Sequence, residues 1–310
     1  MKELDTPLLI LIFNRPDKIK LLIERLRLFK PKYLYISGDG PRQEKVSENK
    51  LCLEAQEVTT TIDWPCEIHT NFSKENLGCK RSVSKGINWF FQNVEAGIIL
   101  EDDCLPDESF FSFCTTLLEI YKNDERVMHI NGTSFAPSIG SPKETYYFSR
   151  IPHSWGWATW RRAWKKFDPD MERLNELEDI LIKEKTFLNK KYSRFWIKHL
   201  RHIKKYKVDS WANSWVYTIL YHQGVCITPF TNLIENIGFD TNATNTLSRP
   251  KFATNSKIMQ NKIFPVDTIE VNKNLDAIVT DLVFRHNFIE RISFRIRKWY
   301  HVALSTIQIK

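Results

Sequence analysis

No two cysteines of this chain stand as Cys-x-x-Cys, and no segment reads Gly-x-x-x-x-Gly-Lys-Ser/Thr or Gly-x-Gly-x-x-Gly. The first absence argues against a zinc site. The second removes support from P-loop and dinucleotide-oxidoreductase readings. No apolar run reaches the length needed to cross a bilayer. Met1–Pro7 leads into only six apolar residues, too few for the hydrophobic region and cleavage site of a secretion signal, so this start reads as a strand. Internal repeats and low-complexity segments are also missing.

The six cysteines, Cys52, Cys66, Cys79, Cys104, Cys114 and Cys226, sit beside apolar residues. That suits buried free thiols in a reducing compartment. The expected location is the bacterial cytoplasm or the inner face of its membrane. At 310 residues and 42% hydrophobic, the chain can bury a sizeable core. Net charge is +8 with a pI near 9.0. This moderate excess fits an anionic lipid, an acidic glycan, a nucleotide, a nucleic acid or simply a solvated basic surface. Ten tryptophans are many, and Trp155, Trp157, Trp160 and Trp164 fall within ten residues.

The first 130 residues alternate strand and helix. Strands are expected at Leu8–Phe13, Tyr33–Ser37, Glu67–Thr70, Gly97–Leu100 and Val127–Ile130. Helices are expected after Asn14-Arg15-Pro16-Asp17, over Glu44–Val58, from Asn76-Leu77-Gly78 to about Phe91, and from Asp107 to Tyr121. Repeated βα units of this length imply a mainly parallel, doubly wound sheet. Further on, Ser134–Glu144 reads as a loop and Lys190–Tyr206 as an amphipathic helix, with a core stripe and a solvated back preferred over a helix lying on a membrane. The tail Phe284–Ile309 mixes Arg285, Arg291, Arg295, Arg297 and Lys298 with Phe, Ile, Trp and Tyr. It is a candidate membrane-surface element, weighed evenly against docking on the body.

Gly97-Ile98-Ile99-Leu100-Glu101-Asp102-Asp103-Cys104-Leu105-Pro106 carries most of the chemistry. A short apolar strand delivers three consecutive acids to its C-terminal end, where open α/β sheets bind ligands. Three carboxylates there repel one another unless a cation sits among them. Oxygen ligands suit Mg²⁺ or Mn²⁺, which in turn hold a diphosphate. Neighbours on a strand point in different directions, so Asp103, at the strand exit, is best placed for metal, and Asp102 for a ribose or sugar hydroxyl. Against this stands a helix N-terminus merely decorated with acids, although a cap needs one acid and not three.

Other signals are weaker. Asp39, in Ser37-Gly38-Asp39-Gly40, ends another strand and can accept from a base or ribose, but Asp-Gly is also a plain turn. Arg15 and Arg81, each near a strand-to-helix turn, face a diphosphate or form surface salt bridges. The Trp155–Arg162 aromatics stack on sugar rings or form a buried knot. Asp209, ahead of Trp211 and Trp215, is a candidate general base.

Taken in order, Ile12-Phe13-Asn14-Arg15-Pro16, Ser37–Gly40, Asn76-Leu77-Gly78, Leu100–Pro106, Trp155–Trp160 and Asn236-Ile237-Gly238-Phe239 resemble GT-A-fold glycosyltransferases of bacterial surface-polysaccharide clusters. Glu-Asp-Asp followed by Leu-Pro and Phe110-Phe111 is also similar to the N-acetylglucosaminyltransferase I group. The resemblance covers roughly residues 6–246. It implies an α/β GT-A (nucleotide-diphospho-sugar transferase) fold, with a mixed, mainly parallel sheet flanked by helices. Residues 1–250 would form that domain, with nucleotide-binding (1–130) and acceptor-binding (131–250) halves, and 251–310 a basic amphipathic extension.

The resemblance further implies a nucleotide-diphosphate sugar donor, UDP-sugar being the best guess, a divalent metal, Mn²⁺ or Mg²⁺, and inverting single displacement. Asp103 would coordinate the metal. Glu101 and Asp102 would contact the ribose or donor sugar, and Asp39 the nucleoside. Phe13, Asn14, Arg15, Arg81 and Trp157 would complete the donor site, and Asp209 would take the acceptor's proton. The acceptor would be a glycan or lipid-linked glycan, and no nucleic acid partner is expected.

Two positions depart from the family pattern. Ala212 stands where relatives often carry a second acid. Asn245 lies where they often carry a histidine, so metal or phosphate would be held there only weakly. Two rivals remain in view. A sugar nucleotidyltransferase would want a Gly-rich basic loop after the first strand, unlike Phe13-Asn14-Arg15-Pro16. A non-catalytic glycan-binding protein would need neither metal nor nucleotide.

Overall fold

The computed structural model describes residues 4–135, 145–239, 253–259, 262–266 and 268–285. The nearly continuous apolar runs of the first half form strands buried on both faces, as parallel sheets require, apart from the largely exposed edge strand Glu67–Phe72. In chain order these are β1 (Leu8–Ile12), α1 (Pro16–Leu26), β2 (Tyr33–Gly38), α2 (Val46–Val58), β3 (Glu67–Phe72), α3 (Cys79–Asn93) and β4 (Ala96–Glu101). Pro16 opens α1 with Asp17 in its first turn, and Ile19, Leu22, Ile23 and Leu26 form its buried stripe.

After β4 come β5 (Cys104–Pro106), α4 (Glu108–Ile120), β6 (Val127–Asn131), β7 (Tyr146–Ser149), β8 (Trp157–Trp160) and α5 (Arg161–Trp164). The chain continues through α6 (Leu177–Lys183), α7 (Lys190–Lys205), α8 (Trp211–Tyr221), β9 (Val225–Pro229), β10 (Ile234–Asn236) and α9 (Lys273–Val279). The acids do not run straight into a helix. Cys104–Pro106 first pairs antiparallel with Ile234–Asn236, and Asp107 then caps α4, accepting from Ser109 N at 3.1 Å.

Eight strands form one sheet in the order β3-β2-β1-β4-β8-β6-β9-β7, and only β8 and β7 run against the rest. This is the α/β, mixed and mainly parallel architecture, flanked by helices, that the resemblance implies. The sheet runs unbroken across residue 130, so both sequence halves share one sheet. From β1 the chain steps outward through β2 and β3, then returns to place β4 on the other side of β1. Order therefore reverses between β1 and β4, the crevice where open α/β sheets take ligands.

Alternation along β1 assigns the faces. Leu8, Ile10 and Ile12 pack with Leu22, Ala55 and Phe110 of α1, α2 and α4. Leu9 and Leu11 pack with Phe90, Trp164 and Trp215 of α3, α5 and α8. A further cluster joins Leu177, Trp196, Leu200, Tyr217 and Val279 of α6, α7, α8 and α9. The apolar stripe of α7 is thus core, as its spacing suggests. Of the cysteines, Cys52, Cys104, Cys114 and Cys226 are buried, but Cys66 and Cys79 are only half-buried.

Part of the expected extension is bound into the body. Val271 bridges Phe148 of β7, and Asp276 of α9 accepts from Ser149 Oγ at 2.6 Å and Arg150 N at 2.9 Å. The basic tail beyond Arg285, and Asn245, lie outside the described residues. Among the described residues no helix is long and apolar enough to cross a membrane.

Burial pushes the Asp276 carboxyl up to about 6, above its ordinary 3.8. The folded protein therefore holds this proton more tightly than the unfolded chain. Stability from this group is complete below pH about 4 and falls as pH rises through about 6. Urea titrations should show Asp276→Asn losing less stability than wild type between those limits, with a difference of about 3 kcal/mol at most.

Candidate functional site

The loops after β1 and β4 face each other across the reversal point. Arg15, at the entrance to α1, donates to Asp103 Oδ2 at 2.7 Å and reaches Asp102 Oδ1 at 3.5 Å. The backbone N–H of Phe13 also donates to Asp102, and Trp211 at the start of α8 donates to Glu101. Three carboxylates are thus gathered around one guanidinium. Burial, then repulsion from Asp103 and its neighbours, raises the Glu101 and Asp102 carboxyls well above the ordinary range.

The β5–β10 ladder closes the corner from the other side. Asn236 Nδ2 donates to Asp103 Oδ1 at 3.2 Å, and Gly238 N donates to Asn236 Oδ1 at 2.9 Å. Ile237 N donates to the Asp103 carbonyl at 2.8 Å. A Cβ on Gly238 would lie 2.0 Å from Asp103 Oδ2, so the backbone approaches as closely as only glycine allows. Gly238→Ala should displace the Asp103 carboxylate. Urea unfolding should then show a loss of about 1–3 kcal/mol while the circular dichroism spectrum stays native.

Asn14 lies beside Arg15. Its Nδ2 donates to the nearly buried Glu48 at 2.9 Å, and Glu48 also takes the Arg42 guanidinium and the Arg42 N–H. Arg42 in turn lies over the Phe13 ring, 5.5 Å from its centroid. Glu48 therefore ties the loop after β1 to the loop after β2. No motif flagged Glu48 or Arg42, because the pair meets only when the two strand exits come together.

Asp39 and Asp209 serve as clamps on backbone. Asp39 accepts from Leu77 N at 2.9 Å, Gly78 N at 3.2 Å, its own neighbour Gly40 N at 3.0 Å and Asn76 Nδ2 at 3.0 Å. Asp209 accepts from Cys79 N and Lys80 N, both at 2.8 Å, and so caps α3 from a distant part of the chain. These donors are the unpaired first-turn N–H groups of the helix. Gly78 permits the approach, with φ of +80° and room for only a hydrogen where Asp209 Oδ2 lies. Asp209→Ala should cost about 0.5–2 kcal/mol in thermal or urea unfolding through the lost cap.

Arg81 and Trp157 complete the expected set. Arg81 is exposed on the first turn of α3. Trp157 is fully buried, stacked on Trp211 and His129 with centroids 5.4 and 4.8 Å away, and presents no face to a sugar. His129 and His153 were not singled out by any motif. Both are buried neutral, and burial lowers each to about 3. His129 accepts from Trp215 Nε1 at 3.1 Å and faces Asn131 Oδ1 at 2.8 Å, which makes it a satisfied core histidine.

The oxygen-rich corner fits a hard divalent cation. Its oxygen ligands are carboxylates, which outnumber Arg15 by two, while Asn236 turns its Nδ2 to Asp103 and its Oδ1 to Gly238 N. Among the described residues no three His, Cys, Asp or Glu side chains converge as a metal cage.

No protein-family model matches the chain, and no curated protein matches it. Among solved structures the chain is similar to a cytidylyltransferase from Leptospira borgpetersenii, at 11% identity and a TM-score of 0.32. That match covers 54% of this chain and 64% of the other, so this chain spans less than two thirds of that protein. It is also similar to a UDP-glucose pyrophosphorylase complexed with UDP-glucose, at 8% identity and a TM-score of 0.35, covering 73% and 90%. A third is mannose-1-phosphate geranyltransferase from Thermus thermophilus, at 10% identity and a TM-score of 0.33, covering 73% of each chain.

Proposed function

We propose that this protein is a metal-dependent, inverting glycosyltransferase. It moves a sugar from a nucleotide-diphosphate donor, best matched by a UDP-sugar, to a glycan or lipid-linked glycan of a bacterial surface polysaccharide. The observation that carries the reading is the convergence of Arg15, Glu101, Asp102, Asp103 and Asn236 at the reversal point between β1 and β4.

The chemistry follows from charge. A donor diphosphate entering this corner meets the Arg15 guanidinium, whose fork matches phosphate oxygens. Asp103 would hold Mn²⁺ or Mg²⁺, and the ion supplies Lewis-acid neutralisation of the leaving diphosphate. Glu101 and Asp102, held by Trp211 and the Phe13 N–H, offer acceptors to ribose and sugar hydroxyls. Phe13 and Asn14, held in place through Arg42 and Glu48, border the same loop.

Inversion needs one base and no covalent intermediate. Asp209 remains the base in this reading, although each of its oxygens already accepts one backbone N–H. A carboxylate oxygen has two lone pairs, so one per oxygen remains for the acceptor's proton. The departure at Ala212 stands, since the described structure places no second acid on that turn of α8.

Donor hydrolysis and transfer should be screened across UDP-hexoses and UDP-N-acetylhexosamines with Mn²⁺. Wild type should release UDP with at least one of them, and Asp103→Ala should release none. Asp209→Asn keeps one of the two acceptors that cap α3 but cannot take a proton. It should stay folded, lose no more stability than Asp209→Ala, and lose about 10²–10⁴ in turnover. Glycan binding by a wild type that never turns over any donor would instead favour a non-catalytic binding protein.

A further inference from the structure

The outward face of α7 has no role in the site described above. Residues 185–208 contain Lys185, Lys190, Lys191, Arg194, Lys198, Arg201, Lys204, Lys205 and Lys207 and not one acid. Tyr192, Trp196, Ile197, Leu200 and Ile203 turn inward to the core. Lys190, Arg194, Lys198, Arg201 and Lys205 are exposed and recur every three or four residues, so they form one ridge on the opposite face. The helix rises over about 24 Å.

This ridge runs against the usual helix electrostatics. Lys190 and Arg194, Arg194 and Lys198, and Arg201 and Lys205 are like-charged pairs at i,i+4, which repel. Lys190 and Lys191 occupy the first turn, where the helix dipole disfavours cations, and that turn contains no acid. Among the described residues few neighbours relieve it. Arg201 pairs with Glu178 at 3.1 Å, Lys191 lies near Asp281, and Lys204 donates to the Met171 carbonyl. A continuous anionic surface would relieve the rest.

Exposed apolar side chains flank α7 along the chain. Leu188 is 49% exposed ahead of it, and Tyr206 and Val208 are 61% and 39% exposed after it. Lipid headgroups answer the cations while the upper bilayer accepts these tips. A nucleic-acid backbone would satisfy only the charges. We infer that the Lys190–Val208 face of α7 docks the protein on an anionic lipid bilayer.

The docking stands on α7 and not on the proposed transferase activity. On that reading, however, the ridge runs out beside Asp209, which would hold the acceptor side of the site at the membrane. The face also differs from the basic tail as a source of attachment.

Co-sedimentation of the full chain with phosphatidylglycerol/phosphatidylcholine vesicles tests the inference. Wild type should bind these vesicles at low salt, release at high salt, and ignore pure phosphatidylcholine. Combining Lys191→Glu, Arg194→Glu, Lys198→Glu and Lys205→Glu should weaken binding at least roughly a hundredfold, at about fivefold per charge. The milder pair Arg194→Gln and Lys198→Gln, with an unchanged melting temperature, should weaken it by roughly twentyfold or more. Wild-type indifference to anionic vesicles would overturn the inference, as would folded variants that bind like wild type. So would duplex DNA that outcompetes vesicles at equal phosphate. Nucleotide binding by the same variants should be unchanged, which separates this result from the fate of the transferase reading.

Discussion

Among the described residues, three carboxylates at the exit of β4 are balanced by the half-buried Arg15. Arg15 bonds Asp103 at 2.7 Å, yet Glu101 and Asp102 still resist ionisation because burial and mutual repulsion outweigh it. Nothing about sheet formation requires such a cluster, and an isolated fold would be easier to assemble without it. The surrounding structure nevertheless holds it firmly. The β5–β10 ladder brings Asn236 and Gly238 against Asp103, α8 brings Trp211 to Glu101, and β1 brings Phe13 N–H to Asp102. Groups supported this way are positioned for a charged partner before it arrives.

The other two acids of interest act on backbone. Asp39 locks the Asn76–Gly78 turn to the exit of β2, and Asp209 locks the same region to the entrance of α8. Together with Glu48, which joins Asn14 to Arg42, they fix the loops bordering the corner. Loops are where ligand contacts are made, and their placement depends on such carboxylates more than on apolar packing. The apolar part of the chain sets a different scale of order. It lays out the sheet, places α1, α2 and α4 on one face and α3, α5 and α8 on the other, and leaves the strand exits polar.

Much of the first half was legible in sequence because its strands are short apolar runs and its helices carry clean stripes. The expected Leu8–Phe13 and Gly97–Leu100 strands differ from the observed Leu8–Ile12 and Ala96–Glu101 by one or two residues. The exit of Glu101–Asp103 at the C-terminal end of β4 was legible for the same reason. Contacts between distant segments were not. Cys104–Pro106 is too short to read as a strand until Ile234–Asn236 pairs with it, and the antiparallel β8 hides inside the tryptophan cluster. Trp157 illustrates the limit of composition, since the same ring suits a sugar platform or a core, and only packing on Trp211 and His129 decides. Asp209 is similar, because no spacing rule announces a cap formed across 129 and 130 residues.

The proposed activity requires a metal–nucleotide site at the β1–β4 corner. The most direct test is a thermal-shift panel of nucleotide diphosphates, with and without Mn²⁺, on wild type and Asp103→Ala. A ligand that binds only the folded state must raise its apparent stability. The account predicts a rise with one nucleotide, UDP first among them, that requires Mn²⁺ and disappears in the variant. No rise with any nucleotide under either condition, or a rise that survives in Asp103→Ala, would contradict it.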